Sequence, residues 1–115
     1  AKKIALVAFN GEPMCFVHVL LNALDMDDRG YTVKVIIEGS APKTANDLND
    51  PAAKFHHFYK QVKERGLIDC VCKACSATVG ALEGIQEQRL PLCNEMNGHP
   101  SLARYLEEGY EVITF

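Results

Sequence analysis

The sequence lacks any apolar run that approaches the roughly 20 residues of a membrane-spanning helix, so we expect no membrane insertion. Residues 1–9 also lack the layout of a signal peptide, because their apolar run reads as a strand and no cleavage region follows. A net charge of −3 provides no overall attraction to nucleic acid or to an anionic membrane. No glycine-rich phosphate motif, internal repeat or low-complexity tract is present. The length predicts a single domain over residues 1–115. The net charge and the lack of a long apolar run predict that this domain binds neither nucleic acid nor membrane.

Cysteine is the residue type that stands out among those present. The chain has five cysteines, an odd number, and three of them lie within six residues, at Cys70, Cys72 and Cys75. Such clustering is less typical of a disulfide framework than of a reduced compartment with redox, sulfur or metal chemistry. We therefore predict a cytoplasmic protein.

Apolar runs alternate with segments of helical spacing along the whole chain. Runs typical of strands occupy residues 2–9, 31–38, 67–71 and 110–115. A shorter run at residues 89–95 contains Pro91, which restricts a strand to the edge of a sheet. Segments with helical spacing are residues 13–28, 51–65, 72–82 and 102–108. Two remaining segments have the composition of loops, residues 39–50 and 83–89. The pattern predicts a three-layer α/β/α sandwich with a mainly parallel sheet of about five strands.

The segment at residues 66–80, GLIDCVCKACSATVG, changes from strand spacing to helix spacing near Cys72. This change places the Cys72 sulfur at the carboxyl end of a strand and the amino end of a helix, where open α/β sheets bind their ligands. Unpaired backbone N–H groups and the helix dipole favour a thiolate there, so we predict that Cys72 is a catalytic thiol with a lowered pKa. Cys70, inside the strand, is expected to be part of the core.

Cys75 lies three residues after Cys72 and shares its helix face. A Cys-x-x-Cys pair at a helix start is the arrangement of dithiol redox sites, which favours Cys75 as a second catalytic thiol. Its place in an apolar stripe with Val79 and Leu82 favours core packing instead. Both interpretations stay open from the sequence.

Three further residues are candidates for a pocket at the same edge of the sheet. Asn10 and Cys15 follow the first strand, and Cys15 would face one pocket with Cys72 if the first and third strands are neighbours. His99 opens the turn before the last helix, where a histidine can carry a proton or simply be exposed to solvent.

The cysteines and His99 also include enough soft ligands for a tetrahedral metal site. The linear spacing argues against one, because structural zinc sites usually use paired Cys-x₂₋₄-Cys units and the chain has no second unit. We therefore predict neither a metal nor another cofactor.

Two stretches carry a resemblance to a known family, the opening run KKIALVAF and the segment CKACSATVG at residues 72–80. With the alternating strands and helices, they make the chain similar to the DsrE/DsrF-like family of small sulfur-relay proteins, including its TusD-like and YchN-like members. The resemblance covers most of the chain. Residues 84–99, with Cys93, and the additional cysteines at positions 15 and 70 depart from the family pattern.

The resemblance implies a sulfur carrier or sulfurtransferase that holds sulfane sulfur as a persulfide on Cys72, with Cys75 as its resolving partner. It also implies a cytoplasmic homotrimer or homohexamer that exchanges sulfur with donor and acceptor proteins. The alternative class is a non-catalytic oligomeric binding module with a small-ligand or metal site at the same sheet edge.

Overall fold

The computed structural model describes residues 2–115 and contains, within them, one sheet of five parallel strands. The strands are β1 (Lys3–Ala8), β2 (Thr32–Ile37), β3 (Ile68–Cys72), β4 (Leu92–Cys93) and β5 (Glu111–Thr114). The helices are α1 (Pro13–Asp28), α2 (Ala41–Leu48), α3 (His56–Glu64), α4 (Lys73–Thr78), α5 (Leu82–Glu87) and α6 (Leu102–Glu107). The strands follow the order β4-β3-β2-β1-β5, and all neighbouring pairs are parallel. The predicted three-layer α/β/α sandwich is confirmed, with β4 at one edge as the position of Pro91 indicates.

Helices cover both faces of the sheet, but to different extents. On one face α1, α2, α3 and α5 pack over the central strands, and Phe16, Tyr59 and Ile85 are fully buried there. On the other face Tyr105 of α6 and Tyr110 pack against side chains of β1, β2 and β3. The second face is therefore covered mainly by the short helix α6 and the residues that follow it, and its side chains are nevertheless buried.

The helix α1 begins and ends where the sequence predicts. Pro13 occupies its first position, where the missing N–H leaves no helical hydrogen bond unmade, and the Glu12 carboxylate accepts the Cys15 N–H at 3.1 Å. Gly30 follows its end with a φ of 85°. Neither α1 nor any other helix within residues 2–115 has the length and apolar character that crossing a membrane requires.

Two segments that were expected to be loops contain short helices instead. The first holds α2, because Ala41, Ala45 and Leu48 recur at helical spacing and are buried. The second holds α5, which buries Ile85. Both segments are polar outside these few positions, so their composition conceals a narrow buried stripe.

The helix α3 begins at His56 and not at Pro51, where the sequence predicts its start. Phe55, which precedes it, has a φ of 70°, and this left-handed conformation interrupts any continuous helix.

A disulfide joins Cys70 of β3 to Cys93 of β4, whose Cα atoms are 5.5 Å apart. Both residues are buried, so Cys70 belongs to the core as predicted, but as half of a cystine. The expectation that the clustered cysteines stay reduced is therefore wrong for this pair. The disulfide depends on the pairing of β3 with β4, which places Cys93 beside β3.

Candidate functional site at the carboxyl edge of the sheet

Strand β3 ends at Cys72 and helix α4 begins at the next residue, as the sequence predicts. The Cys72 sulfur caps this helix by accepting the backbone N–H of Cys75 at 3.2 Å. The Ser76 hydroxyl donates to the Cys72 carbonyl at 2.7 Å and ties the first turn of the helix to the strand end. Cys72 is fully buried, so its sulfur lies beneath the surface of the sheet edge.

His99 lies against both cysteines at the start of α4. Its Nδ1 atom is 3.1 Å from the Cys72 sulfur and 3.5 Å from the Cys75 sulfur. The Cys72 thiol also lies 3.6 Å from the carbonyl oxygen of Gly98. The structure therefore brings together three of the residues that the sequence singled out, Cys72, Cys75 and His99, although His99 is 24 residues from the nearer cysteine in the chain.

A tight turn carries His99 over the start of α4. Met96 and His99 form an antiparallel bridge with hydrogen bonds of 2.8 and 3.0 Å. The Gly98 carbonyl accepts the Ala74 N–H at 2.9 Å and so satisfies one of the N–H groups that a helix start leaves unpaired. Gly98 has a φ of 91°, and a Cβ atom there would stand 2.9 Å from the Cβ of Ala74. The close approach of turn and helix thus requires glycine at this position.

The same turn is also connected to β3 through a disulfide and to α6 through an ion pair. Before it, the Cys70–Cys93 disulfide holds β4 to β3. Within it, Glu95 binds Arg104 of α6 through contacts of 2.5 and 3.1 Å, and this hydrogen bonding holds the pKa of Glu95 below its usual range. These connections fix the turn, and therefore His99, relative to the cysteines.

The Cys72 thiol is not activated in the way that its position at a helix start suggests. Burial raises the pKa of Cys72 to about 12, and the adjacent Cys75 thiol and Glu38 carboxylate add to the rise. The Cys75 N–H acts in the opposite direction but does not outweigh burial. The predicted lowering of the pKa is therefore wrong for this closed arrangement. Cys72 is instead a neutral thiol whose sulfur lies within hydrogen-bonding distance of the Gly98 carbonyl oxygen and of Nδ1 of His99.

Glu38 is a further residue of this edge that the sequence analysis missed. It directly follows β2, and because Ile37 is paired with Val71, Glu38 lies next to Cys72 at the neighbouring strand end. Its Oε2 atom is buried without a hydrogen-bond partner in the described part of the chain, and burial raises the pKa of its carboxyl group. A carboxylate at the end of a buried strand was the signal that could have identified it.

Asn10 and Cys15 stand apart from the cluster of Cys72, Cys75 and His99. Strand β2 lies between β1 and β3, so the condition under which Cys15 would share a pocket with Cys72 is not met. The Asn10 side chain accepts the Glu12 N–H at 2.8 Å, and Cys15 donates its own N–H to the Glu12 carboxylate. Both residues therefore serve the start of α1.

A cavity of about 390 Å³ lies elsewhere, between α2, α3 and α5, and none of the predicted site residues lines it. Lys63 contacts the Gln88 side-chain oxygen at 3.2 Å, and Gln88 donates to Asn46 at 2.8 Å. Lys63, Gln88 and Asn46 are therefore hydrogen-bonded to one another along one wall of this cavity.

The fold and this edge define a class of protein, the parallel three-layer α/β domains with a cysteine where the third strand meets a helix. Residues 3–115 match the profile of the DsrE/DsrF-like family, and the chain belongs to that family. The resemblance carried by residues 72–80 is confirmed by this match over essentially the whole chain.

Similar proteins carry little functional information of their own. An uncharacterized protein of Methanocaldococcus jannaschii is 35% identical over 97 residues, which make up 84% of this chain and 77% of that protein. An uncharacterized protein of Archaeoglobus fulgidus is 46% identical over 41 residues, 36% of this chain and 67% of that protein. The solved structure of a conserved protein of unknown function from Bacteroides thetaiotaomicron has a TM-score of 0.67 at 17% identity, covering 99% of this chain and 95% of that one. This structural likeness supports the fold.

Proposed function

We propose that the protein carries sulfane sulfur as a persulfide on Cys72 and does so in the cytoplasm. Membership of the DsrE/DsrF-like family supports a sulfur-relay role. The observation that carries the proposal is the pair of contacts around the Cys72 sulfur, with His99 Nδ1 at 3.1 Å and the Cys75 N–H at 3.2 Å. The imidazole can take the thiol proton, and the N–H can stabilise a negatively charged sulfur, which are the two requirements of the transfer.

The transfer step is a displacement at the outer sulfur of a donor persulfide. The Cys72 sulfur attacks that atom, the S–S bond of the donor breaks, and the donor leaves as a thiolate. The Cys72 proton passes to His99 and from there to the departing thiolate. The products are Cys72–S–SH and a donor thiol, so the step needs neither an oxidant nor a reductant. Attack by an acceptor thiol on the outer sulfur of Cys72–S–SH then transfers that sulfur atom to the acceptor.

Access to Cys72 requires the turn at residues 95–99 to move. Cys72 is fully buried beneath this turn, whereas Met96 at its tip is 57% exposed. We expect a donor sulfur to reach Cys72 from this side after the turn has moved. We expect docking of the donor protein to open the turn and to return His99 to Cys72 afterwards.

Cys75 is the proposed resolving thiol for a persulfide that meets no acceptor. The Cys75 sulfur lies 3.5 Å from Nδ1 of His99, the same atom that contacts the Cys72 sulfur. Attack by Cys75 on the inner sulfur of Cys72–S–SH would form a Cys72–Cys75 disulfide and release hydrogen sulfide. A thiol reductant is then required to restore the pair. Intramolecular attack is favoured by the high effective concentration of a thiol held in place.

We also propose a homotrimer or homohexamer that exchanges sulfur with donor and acceptor proteins. Support comes from β5, which forms one edge of the sheet and has three of its four residues exposed. Ile113 on β5 and Leu106 on α6 are 38% and 59% exposed. An open strand edge with exposed apolar side chains is typical of surfaces that pair with another chain. Light scattering over a wide range of dilution measures the assembly, and a monomer mass throughout would contradict it.

The sulfur-carrier proposal is tested by loading metal-free protein with a sulfane-sulfur donor and following its intact mass. The wild type should gain one sulfur atom, and Cys72→Ser should gain none. Cys15→Ser is the matched control, because Cys15 is also a free cysteine, and it should load like the wild type. His99→Gln keeps a side chain over the sulfur but removes the proton acceptor, and we expect loading to slow by about 10²–10⁴-fold.

Two results would contradict the proposal: an adduct that survives in Cys72→Ser, or no adduct in the wild type with any donor. The same experiment decides the role of Cys75. If Cys75 resolves the persulfide, Cys75→Ser should lengthen the lifetime of the adduct. An unchanged lifetime together with lower stability would show that Cys75 is only a core residue.

A further inference from the structure

We propose that Cys72, Cys75 and His99 form a binding site for Zn²⁺ when no sulfur cargo is present. Two cysteine sulfurs and one imidazole nitrogen are a ligand set that Zn²⁺ prefers, and three protein ligands leave a fourth position open. The proposal goes beyond sulfur carriage and does not depend on it.

The three ligand atoms are already close to the arrangement that the ion requires. Tetrahedral Zn²⁺ with Zn–S bonds of about 2.3 Å and Zn–N bonds of about 2.0 Å places its ligand atoms roughly 3.5–3.8 Å apart. In the structure Nδ1 of His99 is 3.1 and 3.5 Å from the two sulfurs, and all three atoms lie within 4.8 Å of one another. Adjustments of less than about 1 Å, within the range of side-chain rotation, would complete the geometry.

The fold places His99 beside the Cys-x-x-Cys pair, and the spacing of residues in the sequence did not indicate this third ligand. The absence of a second cysteine pair argued against a metal in the sequence, but the turn after β4 delivers His99 to the Cys-x-x-Cys pair instead. That turn is fixed by its bond from the Gly98 carbonyl to the Ala74 N–H at 2.9 Å. The histidine is therefore held in place before any ion arrives, which lowers the cost of ordering the site.

Glu38 provides an independent reason to expect a cation at this edge. It lies beside Cys72 at the end of the neighbouring strand, and its Oε2 atom is buried without a hydrogen-bond partner among residues 2–115. Leaving a buried carboxylate oxygen unpartnered is unfavourable, whereas a nearby cation compensates for the lost solvation. The carboxylate adds negative charge beside Cys72.

Binding involves no redox step. Zn²⁺ takes the place of the two thiol protons, which are released to solvent, and His99 binds through its unprotonated Nδ1. The bound ion occupies the same Cys72 sulfur that would accept cargo. Metal and persulfide therefore exclude one another, and bound Zn²⁺ should prevent the mass adduct from forming.

The test starts from protein that has been stripped with a chelator under non-reducing conditions, so that the Cys70–Cys93 disulfide is preserved. Zn²⁺ is titrated in, and retention after desalting is measured by elemental analysis. We expect one ion per chain in the wild type and in Cys15→Ser. Cys72→Ser and Cys75→Ser should bind at least about tenfold more weakly, since even residues that only support a ligand change metal affinity by 10–100-fold.

A second measurement covers the case in which the cysteine variants do not fold. Co²⁺ replaces Zn²⁺ in wild type and Cys15→Ser, and its absorption spectrum reports the ligands directly. We expect thiolate-to-cobalt charge-transfer bands and the intense visible bands of tetrahedral coordination in both proteins. No stoichiometric ion in the wild type, a Co²⁺ spectrum without thiolate bands, or loss of binding in Cys15→Ser would overturn the proposal. A failure to load sulfur would leave this test unaffected.

Discussion

Substituting Gly98 by alanine tests how firmly His99 is held over Cys72. If the turn stays in place, the left-handed φ of 91° costs about 1–2 kcal/mol and the clash with Ala74 about 1–3 kcal/mol more. If the turn swings away, the molecule loses the Gly98–Ala74 and His99–Cys72 hydrogen bonds, worth about 1 kcal/mol each. The second route is the less costly one. We therefore predict a loss of about 2 kcal/mol of unfolding free energy together with exposure of Cys72.

The matched control for this substitution is Gly30→Ala. Gly30 has a similar φ of 85°, but no atom lies within 4 Å of its added Cβ, so only the conformational cost of about 1–2 kcal/mol applies. Urea unfolding measures stability, and peptide-resolved labelling with iodoacetamide measures exposure of Cys72. We expect faster labelling of Cys72 in Gly98→Ala and unchanged labelling in Gly30→Ala. If Cys72 remains protected in both variants, the packing of the turn on α4 is not as described.

Three further predictions follow from the same contacts. In folded metal-free protein, iodoacetamide should label half-buried Cys15 before fully buried Cys72, and mass spectrometry of the peptides gives the order. The double substitution of Cys70 and Cys93 by alanine should lower the unfolding free energy by about 3 kcal/mol, since the bond spans 23 residues, and should also speed labelling of Cys72. Tyr59→Phe removes a buried hydroxyl that donates to a glutamine side chain at 2.6 Å, and urea unfolding should show a loss of about 1 kcal/mol.

Most of the architecture could be predicted because it follows from the spacing of apolar residues along the chain. Continuous apolar runs predicted the central strands, and the change of spacing at Cys72 located the junction between β3 and α4. Pro91 correctly placed the short strand β4 at an edge. The helices α2 and α5 were missed because each buries only a few side chains in an otherwise polar segment.

The chemistry of the edge could be predicted only in part, because it depends on which strands are neighbours. The pairing of β3 with β4 creates the Cys70–Cys93 disulfide and starts the turn that brings in His99. The pairing of β2 with β3 brings in Glu38. Neither pairing has a signature in the linear sequence.

The protonation state of Cys72 was mispredicted for a different reason. A helix start favours a thiolate, but the outcome depends on how completely the sulfur is removed from water. Spacing shows that a residue lies at a junction and does not show how deeply the junction is buried. Here burial decides the balance in favour of the thiol.

The most direct measurement is the site of sulfur uptake within one protein molecule. The metal-free wild type is exposed to a sulfane-sulfur donor, trapped without reductant and cleaved with trypsin, which separates Cys72 from Cys75 at Lys73 and leaves Cys15 on a third peptide. We expect one additional sulfur on the peptide of residues 66–73, which stays linked to the Cys93 peptide through the Cys70–Cys93 disulfide, and fragmentation should place that sulfur on Cys72. Cys15 should be unmodified although it is the more accessible thiol. Sulfur on Cys15 with none on Cys72 would contradict the claim that this edge of the sheet is built to accept it.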